Sequence, residues 1–293
     1  MPPEPAPPPL RVIVLAAQRR GDADPLASAF GLSHKCLVPV AGRAMIERVV
    51  ATVCAHPQVA SVAVSIEPEG SALVGEALAG SLCADARLAL VPACDNLADS
   101  VIAAAQGHAG RLIVTTADNV LLTAASIDTV ASALERHDAV IAMARREAVL
   151  AAHPDGQRRF YRFRCGAYSG CNLYGIGSPD ALAAAEVFRG GGQFAKKAAR
   201  IVAAFGPFNL VLLRLRLLTL AGALTRISRR TGVRIAPLIL ADGSQAIDVD
   251  NERTHRVASE LIAKTRQPAR SERPDPPGLP ATIGHRSPVV AAP

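Results

Sequence analysis

Apolar, β-branched runs recur through the first half of the chain, and between them the apolar positions shift to helical spacing. The segments "RVIVLAA" (11–17), "VASVAVSI" (59–66), "RLALVP" (87–92), "RLIVTTA" (111–117) and "DAVIAMA" (138–144) predict strands. Residues 43–56, 71–80, 98–108 and 124–136 predict helices. Strands alternating with helices of this length build βαβ units, whose crossovers are right-handed and whose ligands sit at the carboxyl ends of the strands. The expected fold class is α/β with a mostly parallel central sheet.

After residue 145 the rhythm changes. "RRFYRFRCGAYSGCNLYGIG" (158–177) holds two short alternating runs around "GAYSG" and predicts a hairpin. A helical block over about 180–231 is interrupted by "RGGGQ" (189–193). "VRIAPLILA" (233–241) and "SQAIDVD" (244–250) predict late strands, and 252–265 a closing helix. Residues 1–9 and 266–293 are rich in Pro and lack periodicity, so they read as disordered tails flanking a folded unit over 10–265.

The chain has 293 residues, 50% of them hydrophobic, which suffices for a large core. A net charge of +7 favours anionic partners, although much of it is Arg scattered along the chain. The most apolar stretch, 209–224, is too short to span a bilayer and carries Arg214 and Arg216. Each would cost at least about 2.5 kcal/mol at a bilayer centre, so no transmembrane segment is expected but a buried helix, the alternative being a helix that lies on a membrane or a partner. The six cysteines form no CxxC pair, and the seven His show no metal-ligand spacing. Neither a signal pattern nor a disulfide framework is apparent, and reduced thiols in the cytoplasm are expected.

Candidate chemistry gathers in the loop after the first strand, "AAQRRGDADPLASAFGLSHKCLVPVAGRAMI" (16–46). Such a loop, rich in Gly and Arg and containing Lys35, is where α/β folds bind phosphates. It contains neither GxxxxGK[ST] nor GxGxxG. On residue type alone Lys35 is equally a phosphate ligand or an exposed surface lysine, and His34 beside it reads as exposed. A second candidate is Asp118, a single acid between the apolar runs of "LIVTTADNVLLT". A carboxylate in such a setting is costly to bury unless something pairs with it.

The string "VIVLAAQRRGDAD…HKCLVPVAGRAMIERVV" resembles the opening of the MobA-like NTP transferases, which include molybdenum-cofactor guanylyltransferase and sugar-phosphate cytidylyltransferases. Their signature is roughly LAGGxxxRxGxxK, a short apolar strip, then Gly and a helix. The resemblance implies a single GT-A-like (Rossmann-like) three-layer domain. It also implies transfer of a nucleoside monophosphate from an NTP to a phosphorylated small-molecule acceptor, with release of pyrophosphate. Leu15, Ala16, Ala17, Gln18, Arg19, Arg20, Lys35 and Ser100 then fall at nucleotide-binding positions. Ala17 and Gln18 stand where a Gly pair is usual, and the loop to Lys35 is longer than in the family pattern.

The resemblance places Asp118 at the metal-binding acid after the fourth strand and Asp250 at the late acid before the last helix. Both would hold Mg²⁺, with Lys35 completing the catalytic set. "CDNLADSVIAAAQG" (94–107) falls at the segment that meets the base, with Asp99 or Ser100 as a helix cap. "GAYSGCNL" falls in the acceptor region, which points to Arg158, Arg159, Ser169 and Asn172; Cys171 reads as a packed thiol rather than a nucleophile. No nucleic-acid partner is expected. Two further readings stay open: a nucleotide-sugar-dependent GT-A glycosyltransferase, and a catalytically weakened nucleotide-binding regulatory protein. The first is weakened by "TADNV", which offers one acid where a DxD is usual. The second is supported by the replaced glycines.

Overall fold

The first strand, β1 (Leu10–Leu15), alternates its side chains between two separate cores, with Val12 and Val14 in one and Ile13 in the other. That period-two division places it in the middle layer. The structure, a computed structural model, describes residues 8–18, 24–82, 86–188, 215 and 217–266. The first half proceeds through α1 (Pro25–Ala29), the short β2 (Pro39–Val40) and β3 (Arg43–Ala44), α2 (Met45–Cys54), β4 (Val59–Ile66), α3 (Pro68–Leu82), β5 (Leu88–Pro92), α4 (Leu97–Ala105) and β6 (Arg111–Thr116). The second half adds α5 (Ala124–Ala133), β7 (Ala139–Arg145), α6 (Arg146–Ala152), β8 (Tyr161–Phe163), β9 (Gly166–Ile176), α7 (Leu220–Thr231), β10 (Ile235–Leu240) and α8 (Glu252–Arg266).

The main sheet runs β10-β7-β9-β6-β1-β4-β5, with β8 paired to β9. All neighbours on the main path are parallel except β9, which lies antiparallel between β6 and β7. On one face pack α2, α3 and α5 through Ile46, Val49, Val74, Ile127 and Val130. On the other pack α4 and α7 through Val101, Ala104, Leu220, Leu224 and Ile227. The result is the three-layer α/β domain expected from the sequence. α2 shows why: its buried Met45, Ile46, Val49, Val50, Val53 and Cys54 recur at spacings of three and four, one apolar stripe laid on the sheet.

Strand order fixes where a ligand can enter. From β1 the chain goes outward to β4 and β5, then returns to β1's other side as β6. The reversal between β1 and β6 is a topological switch point, and the loops leaving their carboxyl ends diverge into a crevice. Those loops carry Lys35 and Asp118.

Several expectations need correction. "SQAIDVD" is not a strand: Gly243–Ala246 form a 3-10 turn and residues 247–250 run on without ladder pairing. Its polar side chains bond locally instead, Asp242 accepting from the Ser244 N–H. "GAYSG" is not the hairpin turn but lies within β9; Tyr161 pairs with Tyr168 and Phe163 with Gly166, so the chain reverses at Arg164–Cys165. In 209–224, residues 209–214 and 216 lie outside the described residues. Residues 217–219 are not helical, Leu217 is exposed, and α7 starts only at Leu220, capped by the Thr219 hydroxyl on the Gly222 N–H. The "RGGGQ" break and nearly all of both tails also lie outside the described residues, while Pro9 accepts from the Arg111 N–H. Among the described residues no helix is long and apolar enough to cross a membrane.

Candidate active site

β1 ends at Leu15, and the next three amides turn sideways onto the end of β4. Ala16 and Ala17 donate to the Ser65 carbonyl at 2.9 and 3.2 Å, and Gln18 N–H donates to Glu67 Oε2 at 3.3 Å. The Gln18 side chain crosses the loop to donate to the Ser33 carbonyl at 2.9 Å. His34 is buried rather than exposed: Nδ1 lies 2.8 Å from Ser33 Oγ and Nε2 lies 3.0 Å from Glu67 Oε1. Gly70 makes room for that ring, since a Cβ there would lie 2.7 Å from His34 Nε2. The loop's two ends are therefore stitched to Glu67, and Lys35 begins the 3-10 turn that follows. Arg19 and Arg20 lie outside the described residues.

From this anchorage Lys35 reaches across the switch point. Its Nζ donates to Asp118 Oδ2 and to Asp250 Oδ1, both at 2.7 Å. Lys35 and Asp118 are largely buried, with side chains 18% and 19% exposed. Burial alone would weaken the ammonium, but the adjacent Asp118 and Asp250 charges and their hydrogen bonds outweigh it and hold the Lys35 pKa above that of an ordinary lysine. The cost of burying Asp118 is thus offset by a paired cation.

Each acid is fixed from behind. Asp118 Oδ1 accepts from Thr116 Oγ at 2.5 Å, leaving Oδ2 directed at Lys35. The Val249 N–H donates to the Asp118 carbonyl at 3.0 Å, which joins the late loop to β6's end. Asp250 N–H and Asn251 N–H both donate to Thr254 Oγ1, and Thr254 N–H donates back to Asn251 Oδ1, so Asn251 and Thr254 form a reciprocal cap at the start of α8. Asp248 lies behind the pair. Burial first, then the charges of Asp118 and Asp250, push its carboxyl up to about 8.

The late loop itself is held by Gln245 and Gly243. Gln245 is buried; its amide donates to the Leu121 carbonyl at 2.7 Å and its Oε1 accepts from Ser126 Oγ at 2.8 Å. Gly243 lies against α6 so closely that a Cβ would come within 2.1 Å of the Ala148 carbonyl.

Ser100 lies inside α4 and does not cap it. Asn96 is the cap, accepting from the Asp99 N–H, while buried Ser100 Oγ donates to the Asn96 carbonyl and accepts from the Cys94 N–H at 2.9 Å. Its hydroxyl shapes the loop 94–96. Ser169 is buried in β9 opposite Ala144. Asn172 has a left-handed backbone, φ 44°, in the stretch where the β7–β9 register shifts. Leu173 pairs with Thr115, so Asn172 lies level with the carboxyl end of β6. Buried Asn119 bridges the two strands, donating to Thr115 Oγ1 and the Cys171 carbonyl, each at 3.1 Å. Cys171 is buried, and burial raises its thiol pKa, as a packed thiol requires.

Arg158 and Arg159 are exposed in the segment before β8. Arg253, in the first turn of α8, donates to the Asp155 carbonyl. Its pKa is lowered, first by burial and then by the Arg158 charge. Sequence reasoning missed Arg253, Gln245, Asn119 and the His34–Glu67 pair. Only Arg253 carried a signal, its position three residues after Asp250 at a helix start.

A MobA-like NTP transferase domain model matches residues 12–206, and the chain belongs to that family. It is similar to a hypothetical transferase from Thermus thermophilus, with 25% identity, a TM-score of 0.66, and coverage of 85% of this chain and 99% of that one. The 4-diphosphocytidyl-2C-methyl-D-erythritol synthase of Anaerococcus prevotii shares the fold at 9% identity and TM-score 0.54, covering 87% and 96% of the two chains. So does a CMP:2-keto-3-deoxy-manno-octonic acid synthetase complexed with CTP, at 16% identity and TM-score 0.53, covering 87% and 99%. Among curated proteins none matches the chain. The family and the fold make this a nucleotidyltransferase-like protein of the transferase class.

Proposed function

We propose that the protein is a Mg²⁺-dependent nucleotidyltransferase that moves a nucleoside monophosphate from an NTP onto a phosphorylated small-molecule acceptor, releasing pyrophosphate. The observation that carries this reading is the convergence of Asp118 and Asp250 on one ammonium, that of Lys35, at the β1/β6 switch point. Two carboxylates aimed at a single point form an all-oxygen donor set, which suits Mg²⁺ held by one or two acids with phosphate oxygens and water. The remaining ligands would come from substrate and solvent. Bound there, the metal would polarise the α-phosphate and offset charge on the leaving pyrophosphate.

The chain's own residues position and neutralise. Lys35 places a point charge on the phosphate chain, and the stitched loop behind it holds that charge in register. An acceptor phosphate already carries a nucleophilic oxygen, so no covalent step on the protein is required. Asn172, level with the carboxyl end of β6, suits contact with the acceptor. Arg158 together with Arg253 suits its phosphate, because the Arg158 charge bears on Arg253 and an anion would offset both.

One observation favours the weakened, regulatory reading. The amides of Ala16, Ala17 and Gln18 are already bonded to Ser65 and Glu67, so they do not form the amide cradle that a Gly pair provides. The glycosyltransferase reading gains no such support, since Thr116 and Val120, two residues either side of Asp118, are not acids. The purified protein offered each NTP with Mg²⁺ and a panel of sugar, polyol and pterin phosphates should release pyrophosphate with one pairing. NTP binding with no release from any acceptor would support the regulatory reading instead.

A further inference from the structure

Lys35 bonds to both acids at once, and that double engagement has a consequence for the order in which ligands bind. Asp118 Oδ2 and Asp250 Oδ1 are the two oxygens that point into the crevice at Lys35, while Asp118 Oδ1 is engaged by Thr116. A divalent cation bridging these carboxylates from the crevice side would approach the oxygens that face Lys35, at about 2.0–2.1 Å. An ammonium within 2.7 Å of each would then face the cation at close range, and like charges so placed repel. The two cations therefore exclude one another at this pair.

We propose that Lys35 is a built-in counter-ion that keeps divalent cations out of the Asp118–Asp250 pair until a triphosphate draws its ammonium away. This inference rests on the nucleotidyltransferase reading of the same site and adds its regulation. Flexibility and reach allow the exchange. Lys35 has a flexible four-carbon stem, and it sits at the start of a short 3-10 turn rather than within a long helix. A triphosphate entering at the switch point offers the ammonium new anionic partners. The acids released by that movement become available to the metal travelling with the triphosphate. Metal and nucleotide binding become positively coupled, and by reciprocity each strengthens the other. Free Mg²⁺ alone is excluded, so the site stays neutralised and folded between turnovers.

The test reads metal binding directly, without turnover. Mn²⁺ is titrated into the full-length protein and followed by enhancement of water proton relaxation, with and without inorganic tripolyphosphate. The wild type is expected to bind Mn²⁺ weakly alone and to take up the Mn²⁺–tripolyphosphate complex. Lys35→Met, which keeps the aliphatic stem and removes the charge, should bind Mn²⁺ alone at least about tenfold more tightly than the wild type, within the range usual for coupled sites. Its melting temperature should also rise more with Mn²⁺ than the wild type's does, because the cation replaces the lost ammonium between two acids. Lys35→Gln gives the same comparison should the methionine variant fail to fold. Unchanged or weaker nucleotide-free Mn²⁺ binding in both variants would overturn the exchange while leaving the metal site standing. If the wild type takes up no Mn²⁺ even with tripolyphosphate, the metal-site reading itself falls.

Discussion

The ammonium of Lys35 and the carboxylate of Asp118, 83 residues apart in the chain, meet at 2.7 Å across the gap between β1 and β6. Asp250 completes the contact from a loop that the Val249 N–H fastens to the Asp118 carbonyl. Asp118→Asn keeps the shape and the bond to Thr116 but removes the charge. Turnover should fall by about a hundredfold or more, as when a charge-stabilising group is removed from other active sites. Far-UV circular dichroism of the variant should remain that of the wild type.

Gly243 tests how the late acids are held. A methyl there would be driven into the Ala148 carbonyl and the Val149 N–H, backbone atoms of α6 that have no room to move. Gly243→Ala should lower stability by roughly 1–3 kcal/mol in denaturant titration. Turnover should fall with it, since the displaced segment carries Asp248 and Asp250.

Gln245 offers a complementary test. Gln245→Ala removes the amide from the part-buried Leu121 carbonyl and leaves the buried Ser126 hydroxyl with Thr123 Oγ1 alone. The expected loss is roughly 1–3 kcal/mol, read as a lower urea midpoint with an unchanged slope.

Asn172 separates a side-chain role from a backbone one. Glycine accepts the left-handed φ of 44° without strain, so Asn172→Gly should fold with stability within about 0.5 kcal/mol of the wild type. If the amide meets the acceptor, KM for the acceptor rises while KM for the NTP stays level. Equal changes in both would assign Asn172 to the fold alone.

Thiol reactivity follows from environment. Cys165 is exposed; partial burial pushes its pKa up, but the Leu220 N–H at 3.4 Å and the Tyr168 hydroxyl at 3.6 Å stabilise the thiolate and bring it below the ordinary value. Cys36 is buried and, first by burial and then by Glu67's charge, pushed up to about 12. The thiolate is the nucleophile, so near pH 8 iodoacetamide should modify Cys165 well before Cys36 or Cys171. Peptide mass spectrometry over time gives the order, and the Cys165 rate should level off at lower pH than a model thiol's.

The layered sheet was legible because β-branched runs and helical stripes alternate without ambiguity, as in β1 and α2. Lys35, Asp118 and Asp250 could be picked out because their motifs stand at the expected places in the chain order. The His34–Glu67 pair was not legible: its partners belong to different loops, and nothing local tells a buried histidine from an exposed one. "SQAIDVD" alternates like a strand, yet it joins no ladder, and tertiary bonds from Gln245 hold its path. "GAYSG" has the composition of a turn but lies inside β9, with its strained residue displaced to Asn172. Residue type could not show that the Ala16–Gln18 amides are spent on Ser65 and Glu67.

Transfer of label from an α-³²P NTP, followed in the presence of Mg²⁺ and a phosphorylated acceptor, tests the central claim most directly. The account predicts that the label appears in the acceptor with one pyrophosphate released per transfer, and that Asp118→Asn loses this activity. Label that never leaves the NTP with any acceptor, or transfer undiminished in Asp118→Asn, would contradict it.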